Sequence, residues 1–234
     1  MRRKLKRLAA PKFWRVGRKT RKWVVSPSPG PHKKSECFPL LLIVRDILKL
    51  AENAKDAKKI INKGEIFVDN KARKDYAFPV GLFDVVSIPR LKKFYRVVPS
   101  LNGLKIFEIS EEESKLKICR IEGKKVIKGG KIQLNLHDGR NLLIEKNGFS
   151  VGDSLLLEIP SQKILSHIKL EKDCLGVITK GKNSGKIGKV LEIIPGKALS
   201  KPKIICEVDN EKAEVLKEHF FPLGKEKILI SIGG

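Results

Sequence analysis

Residues 54–71, AKDAKKIINKGEIFVDNK, place a helical pattern directly before a strand and a tight turn. Asn53 suits the helix N-cap because its side-chain oxygen can accept hydrogen bonds from the first unpaired N–H groups. Gly64 suits the C-terminal end of the helix, and Asp69-Asn70 suits a two-residue hairpin turn. The apolar stripe expected to face the core is Ala54, Ala57, Ile60 and Ile61. The stretch therefore predicts a helix followed by a hairpin.

The neighbouring residues extend this unit on both sides. Upstream, Pro39 suits a first helical position, and five apolar residues fall on one helical face: Leu40, Val44, Ile47, Leu48 and Ala51. Downstream, LFDVVSI at residues 82–88 has the composition of a strand. We expect two short helices followed by a small sheet over residues 38–105.

The chain is strongly and unevenly basic. Its 234 residues carry a formal net charge of +24, which indicates a polyanionic partner, either nucleic acid or an anionic membrane surface. Thirteen of the first 37 residues are Lys or Arg and one is acidic, so this segment holds half of the net charge. Blocks of like charge tend to stay disordered until neutralised. Residues 1–37 are therefore predicted to be an extended tail that becomes ordered on RNA.

The sequence gives little support for a metal site, a disulfide framework, a membrane span or a catalytic site. The four cysteines are scattered, without a Cys-x-x-Cys pair or a histidine at metal spacing, so we expect reduced, mostly buried thiols. The apolar run Leu40–Val44 is too short to span a bilayer. His137-Asp138 lies at a glycine turn with no evident nucleophile, and we expect it to be structural.

The second half of the chain has the pattern of antiparallel β-structure. Turn pairs alternate with strand-like runs over residues 106–170, which favours a barrel or a curled sheet. Further strands are predicted at CLGVIT, IGKVLEI and KIICEV, beyond residue 170. A short helix is predicted within EKAEVLKEHF at residues 211–220, and a last strand at KILISI.

Residues 176–190, GVITKGKNSGKIGKV, contain four lysines, four glycines and no acid. They approach the P-loop template, but Asn183 stands where a Mg²⁺-binding hydroxyl is needed, and a strand pattern follows instead of a helix. A β-hairpin fits better. Its loop, residues 181–186, has glycines where the backbone needs positive φ or close approach, and its N–H groups and lysines suit phosphates.

Several of these segments resemble known families. GKNSGKIGKV at 181–190 resembles the KOW motif, with Gly185 at the position of its hallmark glycine. IVRDIL, AKDAKKIINKGEIFVDNK and LFDVVSI, within residues 40–90, resemble the S4 RNA-binding domain, or alpha-L motif. Together with KLKRLAAPKFW and LHDGRN, in this order, they resemble the ribosomal protein S4e family of the small subunit, in its archaeal form.

The resemblance implies an α+β, multidomain chain. Its parts are a basic tail (1–37), an S4-type RNA-binding domain (38–105), a central antiparallel β-barrel-like domain (106–170) and a small KOW barrel (171–234). It implies a structural role in the cytoplasm, within the ribosome. The partners would be folded 16S-type ribosomal RNA of the small subunit and neighbouring ribosomal proteins. It implies no catalysis, cofactor, metal, membrane or small-molecule substrate.

Candidate RNA contacts follow from charge and from the alpha-L resemblance, in which the two helices face RNA. They are Arg2, Arg3, Lys4, Lys6, Arg7, Lys12, Trp14, Arg15, Arg18, Lys19, Arg21, Lys22, Arg45, Lys49, Lys55, Lys58, Lys59, Arg73, Lys74, Lys180, Lys182, Gly185 and Lys186. For Trp14 and Trp23, packing on the protein's own surface and anchoring RNA or a neighbouring protein both remain open. Because aromatics are few, an RNA recognised by shape and phosphates fits better than a single strand.

Two other functions remain open at this point. One is a KOW-containing transcription elongation factor that binds polymerase and nucleic acid. The other is an RNA-modifying enzyme, because pseudouridine synthases can carry the alpha-L domain. Such an enzyme needs a separate catalytic domain with a nucleophilic aspartate. The remaining β units are too small to hold such a domain.

Overall fold

The computed structural model describes residues 4–127, 129–145, 148–196 and 200–233, which are mostly β-structure with few helices. Contacts divide the chain into two compact units. The first unit runs to Val98 and includes Leu104–Lys115. The second comprises the chain from Leu116 onwards and Pro99–Gly103, a segment that includes the ends of two strands described below with the first unit.

The first unit combines short strands with two helices. Its strands are β1 (Lys4–Lys6), β2 (Trp23–Val25), β3 (Cys37–Pro39), β4 (Phe67–Val68), β5 (Lys71–Ala72), β6 (Pro79–Gly81), β7 (Val85–Ile88), β8 (Lys93–Ser100) and β9 (Gly103–Ile109). Its helices are α1 (Leu40–Leu42), which continues as a π-helix (Ile43–Ile47), and α2 (Ala54–Asn62). Five strands form one sheet in the order β5-β4-β7-β8-β9, while β1 pairs with β2 and β3 with β6.

Helix α2 and the hairpin after it confirm the prediction from residues 54–71. The Asn53 side chain accepts hydrogen bonds from the N–H groups of Lys55 and Asp56, and Ala57 and Ile61 are fully buried. Asp69 and Asn70 both have positive φ, as a type I′ turn requires, and they join β4 to β5. The local signals and the tertiary packing agree here.

The first helix is shorter than its apolar pattern predicted. Leu40–Val44 is buried on every side, and the helix widens into π geometry, with the Leu48 N–H donating to the Ile43 carbonyl at 2.8 Å. Lys49 then adopts positive φ and ends the helix. Ala51 therefore lies beyond the helix in which it was placed.

Residues 4–37 form a folded segment, and the extended tail predicted here is wrong for the structure. Strands β1 and β2 pair in antiparallel register, with Lys6 opposite Trp23. Trp14 is 2% exposed, and its indole N–H donates to the Cys37 carbonyl at 2.8 Å. Ala10, Trp14 and Val24 belong to the same core as the helices. The net charge of the segment gives no sign of these widely spaced apolar residues, which pack it onto the core.

The second unit is built from two antiparallel sheets. Its strands are β10 (Leu116–Val126), β11 (Ile132–Leu136), β12 (Asn141–Ile144), β13 (Ser154–Glu158), β14 (Lys163–Ile168), β15 (Leu175–Ile178), β16 (Ile187–Ile194), β17 (Lys203–Val208), β18 (Glu211–Leu216) and β19 (Phe220–Gly224). The strand orders are β12-β11-β10-β13-β14 and β18-β17-β16-β15-β19. The strands predicted on either side of residue 170 are confirmed.

The helix predicted at residues 211–220 is wrong. Strand β18 pairs along its whole length with β17, and a 3₁₀ turn follows at Lys217–His219. The hairpin turn is Asp209-Asn210, where both residues have positive φ. It repeats the Asp-Asn dipeptide of the first unit, and the cross-strand pairing overrides local helix propensity. KILISI, at residues 227–232, is likewise not a strand, since the last strand of the described residues, β19, ends at Gly224.

All four cysteines are free and buried, as predicted. Burial raises the pKa of the Cys37 thiol to about 12 and that of Cys174 to about 11, so both stay protonated at neutral pH. Within the described part of the chain, no helix has the length and apolar character needed to cross a membrane.

Trp14→Ala is expected to destabilise the first unit by about 3–5 kcal/mol, the usual cost of truncating a buried Trp. The substitution removes the indole from the core and leaves the Cys37 carbonyl without its donor. Urea unfolding of the RNA-free protein measures the loss. Leu8→Ala is the control, since Leu8 is 71% exposed and a surface change of this kind costs within about 0.5 kcal/mol. Equal stability of the two variants would contradict the folded N-terminal segment.

Candidate nucleic-acid interface

A groove with a volume of about 630 Å³ lies in the first unit, between the N-terminal hairpin and the helices. It brings together basic and aromatic side chains that are far apart in sequence. Its lining residues are Lys4, Arg7, Arg21, Trp23, Val24, Val25, Arg45, Ala54, Lys58 and Tyr76. None of these described residues is acidic. The groove therefore unites the two basic sets that were predicted separately, from the tail and from the helices.

The β1–β2 hairpin fixes the N-terminal side of the groove. Its register sets Lys4 opposite Val25, while Arg21 enters just before β2. Arg7 is 8% exposed and donates to the carbonyls of Trp23 (3.2 Å) and Gly17 (2.7 Å). Its guanidinium thus holds together the segment that joins the two strands, and this side chain has a structural role.

The helices supply the other side. Arg45 follows the buried run in the first helix and binds Asp46 through two hydrogen bonds, of 2.9 and 2.6 Å. The Lys58 ammonium lies 4.4 Å from the centre of the Tyr76 ring, a cation–π contact. Since Asp46 neutralises only one cation, the groove remains electropositive. It suits phosphates, which charged donors bind strongly.

The candidate contacts in the N-terminal segment separate into three groups. Arg2 and Arg3 lie outside the described residues. Exposed side chains are Lys4, Lys6, Lys12, Arg15, Arg18, Lys19, Arg21 and Lys22. Arg7 and Trp14 are buried. The Trp14 indole is enclosed in the core, which corrects its placement among the RNA contacts, whereas Arg7 lines the groove and stays a prediction.

The remaining candidates of the first unit do not line the groove. Lys49, Lys55 and Lys59 are exposed around the helices, and Lys59 lies 3.6 Å from Asp56. The Arg73 guanidinium stacks on the Phe78 ring at 4.3 Å. Lys74 is exposed on the chain that follows β5. These residues stay predictions for an adjoining surface.

Two aromatic residues of the groove, Trp23 and Tyr76, were absent from the candidate contacts. Trp23 is 45% exposed, whereas Val24 beside it is 7% exposed. This alternation along β2 was the available signal, since neighbouring strand residues point to opposite faces. Trp14 has a similar basic context but is buried, so Trp23 is the tryptophan that is accessible to a partner.

The lysine-rich hairpin of the second unit is confirmed, with β15 and β16 flanking residues 181–186. Gly181 and Gly185 have φ of +99° and +86°, as the hairpin interpretation predicted. A Cβ on Gly185 would lie only 2.8 Å from the Ser100 Cα. The Ser184 hydroxyl also lies 3.0 Å from the Ser100 carbonyl oxygen. The close approach at Gly185 is therefore to the protein's own backbone.

Acids from other segments partly balance the hairpin lysines. Lys186 binds Asp209 at 2.6 Å and Lys189 binds Asp173 at 2.8 Å. These hydrogen-bonded carboxylates raise the pKa of both lysines. Lys180 and Lys182 are exposed. The acid-free stretch of sequence thus forms a less basic surface than its composition suggested.

One cluster outside these surfaces has metal-ligand atoms: Cys119, His137 and Asp138 offer atoms within 4.8 Å of one another. The Asp138 carboxylate, however, already lies 3.0 Å from the Lys117 ammonium and 3.2 Å from the Arg140 guanidinium. Burial raises the pKa of Asp138, but the nearby positive charges outweigh it and lower the pKa to about 2. A divalent cation would have to displace these partners, so the geometry favours a structural ion pair.

Comparison with known proteins places these features in a family. A model described as Ribosomal family S4e matches residues 91–164, and one described as the RS4NT (NUC023) domain matches residues 1–35. The chain is 47% identical over its full length to "Small ribosomal subunit protein eS4" of Methanothermobacter thermautotrophicus, covering 97% of that protein. It is 45% identical to the protein of the same name from Staphylothermus marinus, over 97% of this chain and 94% of the other.

A solved structure gives the same result. The crystal structure of the 30S ribosomal protein S4e from Thermoplasma acidophilum matches with a TM-score of 0.69 and 31% sequence identity. The match covers 81% of this chain and 95% of that chain.

Two glycine substitutions separate backbone strain from steric contact in the hairpin. Gly181→Ala is expected to cost about 1–3 kcal/mol, from positive φ alone, because no atom lies within 4 Å of its new Cβ. Gly185→Ala adds the contact with Ser100 and should destabilise the second unit more. Thermal and urea unfolding measure both, with Lys182→Ala as the charge control that leaves stability unchanged. Equal losses for the two glycines would contradict the packing of this loop.

Asp138 is expected to make the second unit acid-sensitive. Its folded-state pKa of about 2 lies below its ordinary value of 3.8, so the carboxylate stabilises the fold above about pH 4. This contribution, about 2 kcal/mol at 1.36 kcal/mol per pKa unit, is lost as the pH falls from about 4 to about 2. Asp138→Asn should remove this pH dependence.

At neutral pH, Asp138→Asn should cost about 3–5 kcal/mol, because Lys117 stays buried without its counter-charge. Asp173→Asn is the matched control, since Asp173 forms an exposed ion pair, worth about 0–1 kcal/mol. Urea unfolding at several pH values compares the two variants. If Asp138→Asn lowers the free energy of unfolding no more than Asp173→Asn does, the buried ion pair is contradicted.

Proposed function

The chain belongs to the ribosomal protein S4e family, and from this premise we propose that it is a structural constituent of the small ribosomal subunit. It would act in the cytoplasm, within the ribosome, by binding folded 16S-type ribosomal RNA and contacting neighbouring ribosomal proteins. The curated relatives that match over the full chain carry small-subunit names. They give no support to the alternative of a transcription elongation factor.

The observation that carries the RNA-binding proposal is the electropositive groove. Cations from the N-terminal hairpin and from both helices converge there, and no described lining residue is acidic. Phosphates close to Lys4, Arg21 and Lys58 would release counterions, which makes such binding favourable and dependent on salt. The groove is already formed by packing around Trp14, so RNA binding does not have to order this segment.

The proposed RNA is folded, and its phosphates and shape are what the protein recognises. Exposed lysines surround the groove on several elements, and a rigid array of this kind fits the backbone of a structured RNA. The family is generally non-enzymatic, and we propose that this chain has no catalytic role. Asp138 pairs with Lys117, and His137 accepts a hydrogen bond from the Arg120 backbone N–H, so both residues have structural contacts.

The finer division of the chain is part of the same proposal. Residues 38–105 would be the S4-type RNA-binding domain, 106–170 the barrel-like domain and 171–234 the KOW element. Two five-stranded antiparallel sheets support a division near residue 170. Strand β9, Gly103–Ile109, runs across the boundary drawn at residue 105.

Removing groove charges should flatten the salt dependence of RNA binding. Each phosphate contact contributes a slope of about 0.7–0.9 in log K against log salt, so the double variant Lys4→Gln/Arg21→Gln should lose about 1.4–1.8 of slope. The measurement is binding of the full-length protein to small-subunit ribosomal RNA at several salt concentrations. Lys163→Gln, an exposed lysine on β14, is the matched control.

The slopes of log K against log salt and the sedimentation of the protein together test the proposal. A wild-type protein that migrates away from small subunits on a gradient would overturn the proposed function. A double variant with the slope of Lys163→Gln would show that the groove does not contact phosphates. Both side chains are exposed and lie outside the core, so unfolding midpoints should match the wild-type value.

A further inference from the structure

We propose that Trp23 is a stacking platform for one unpaired base of the RNA bound in the groove. This inference rests on the proposed function and adds a specific ligand, a nucleotide whose base is free of a duplex. It assigns a role to the one tryptophan that the fold leaves accessible.

The backbone and the side chain of Trp23 have separate tasks. Its carbonyl accepts the Arg7 hydrogen bond of 3.2 Å, and it faces Lys6 in the β1–β2 ladder. The backbone is therefore held in place while the side chain lines the groove. Trp23 is 45% exposed, in contrast to 2% for Trp14. An indole that the core does not need, on a fixed strand, is suited to contact a partner.

The surroundings of the ring match a nucleotide. The Lys22 ammonium lies 5.5 Å from the ring centre, and Arg21 precedes it in the chain. Lys4 and Arg45 line the same groove. A nucleotide joins a flat π-face to a phosphate, and the groove offers an aromatic face beside several cations. Base–aromatic stacking accepts any base, because every base has a π-face.

Tyr76 is the other aromatic residue of the groove, and a cation lies closer to its ring than to the ring of Trp23. Lys58 lies 4.4 Å from the centre of the Tyr76 ring, and Tyr76 packs partly against the core. The Trp23 ring is the more accessible of the two. An acidic peptide could satisfy the cations, but it would also need an aromatic side chain at the right spacing to stack on the indole. Every nucleotide of RNA joins a π-face to a phosphate, so RNA is the favoured occupant.

The test is binding of full-length Trp23→Ala to small-subunit ribosomal RNA across a series of salt concentrations. Stacking is worth about 1–3 kcal/mol per base, which converts to a loss of affinity of about 5- to 150-fold at 1.36 kcal/mol per factor of ten. Because stacking releases no counterions, the slope of log K against log salt should stay at the wild-type value.

Three further variants identify the cause of any loss. Trp23→Phe keeps a π-face and should retain most of the affinity, whereas Trp23→Leu keeps apolar bulk alone and should bind as weakly as Trp23→Ala. Leu8→Ala removes another exposed apolar side chain of the same segment and should bind like wild type. Arg21→Gln should instead lower the slope.

Fluorescence gives an independent readout. Acrylamide should quench Trp23 in the free protein and fail to quench it in the RNA complex, with buried Trp14 as the internal reference. Wild-type affinity in Trp23→Ala, or affinity in Trp23→Leu equal to that in Trp23→Phe, would overturn the stacking proposal. Failure of the wild type to bind ribosomal RNA would instead overturn the proposed function, so the two failures are distinct.

Discussion

The burial of Trp14 is the constraint on which the arrangement of the first unit depends. Its indole belongs to the same core as Phe38 and Val44, and its N–H donates to the Cys37 carbonyl at the start of β3. A buried Trp contributes a large apolar area, and its polar atom needs a partner. Both conditions are met only when the N-terminal segment folds back. The cations of that segment then have fixed positions, and the groove exists as a consequence.

The fold assigns the basic residues two different tasks. A few are buried and paired: Arg7 closes the N-terminal hairpin, Arg96 binds Glu113 at 2.9 Å, and Lys117 binds Asp138. Each of these charges has its counter-charge or its carbonyl acceptors inside the fold. The cations left on the surface greatly outnumber the acids there, and that excess is what a polyanion meets.

Local signals predicted the fold where sequence and packing agree. Asn53, Gly64 and the Asp69-Asn70 turn fixed α2 and its hairpin, because each acts through its own backbone. The same dipeptide forms the turn at Asp209-Asn210, but the local pattern of β18 predicts a helix, since its pairing with β17 is not visible in either strand alone. Turn pairs and strand-like runs predicted the antiparallel strands of the second unit, whereas closure of its sheets into barrels stays a prediction.

The interface was predicted by charge and only partly by position. Composition identified the basic segment and the helices, but it could not show that Lys4, Arg21, Arg45 and Lys58 meet in one groove. That convergence comes from long-range packing. Trp14 lies in a 3₁₀ turn that packs into the core, and Trp23 lies on the exposed side of β2, while local composition is nearly the same around both.

A groove that is complete before its RNA arrives has a cost outside the ribosome. Under the proposed function, the free protein presents an electropositive cleft that other polyanions, such as transfer and messenger RNA, would also occupy. Specificity must then come from the larger surface that only the correct partner covers. Surplus copies would sequester unrelated transcripts, so a cell benefits from keeping synthesis of this chain in step with that of its ribosomal RNA.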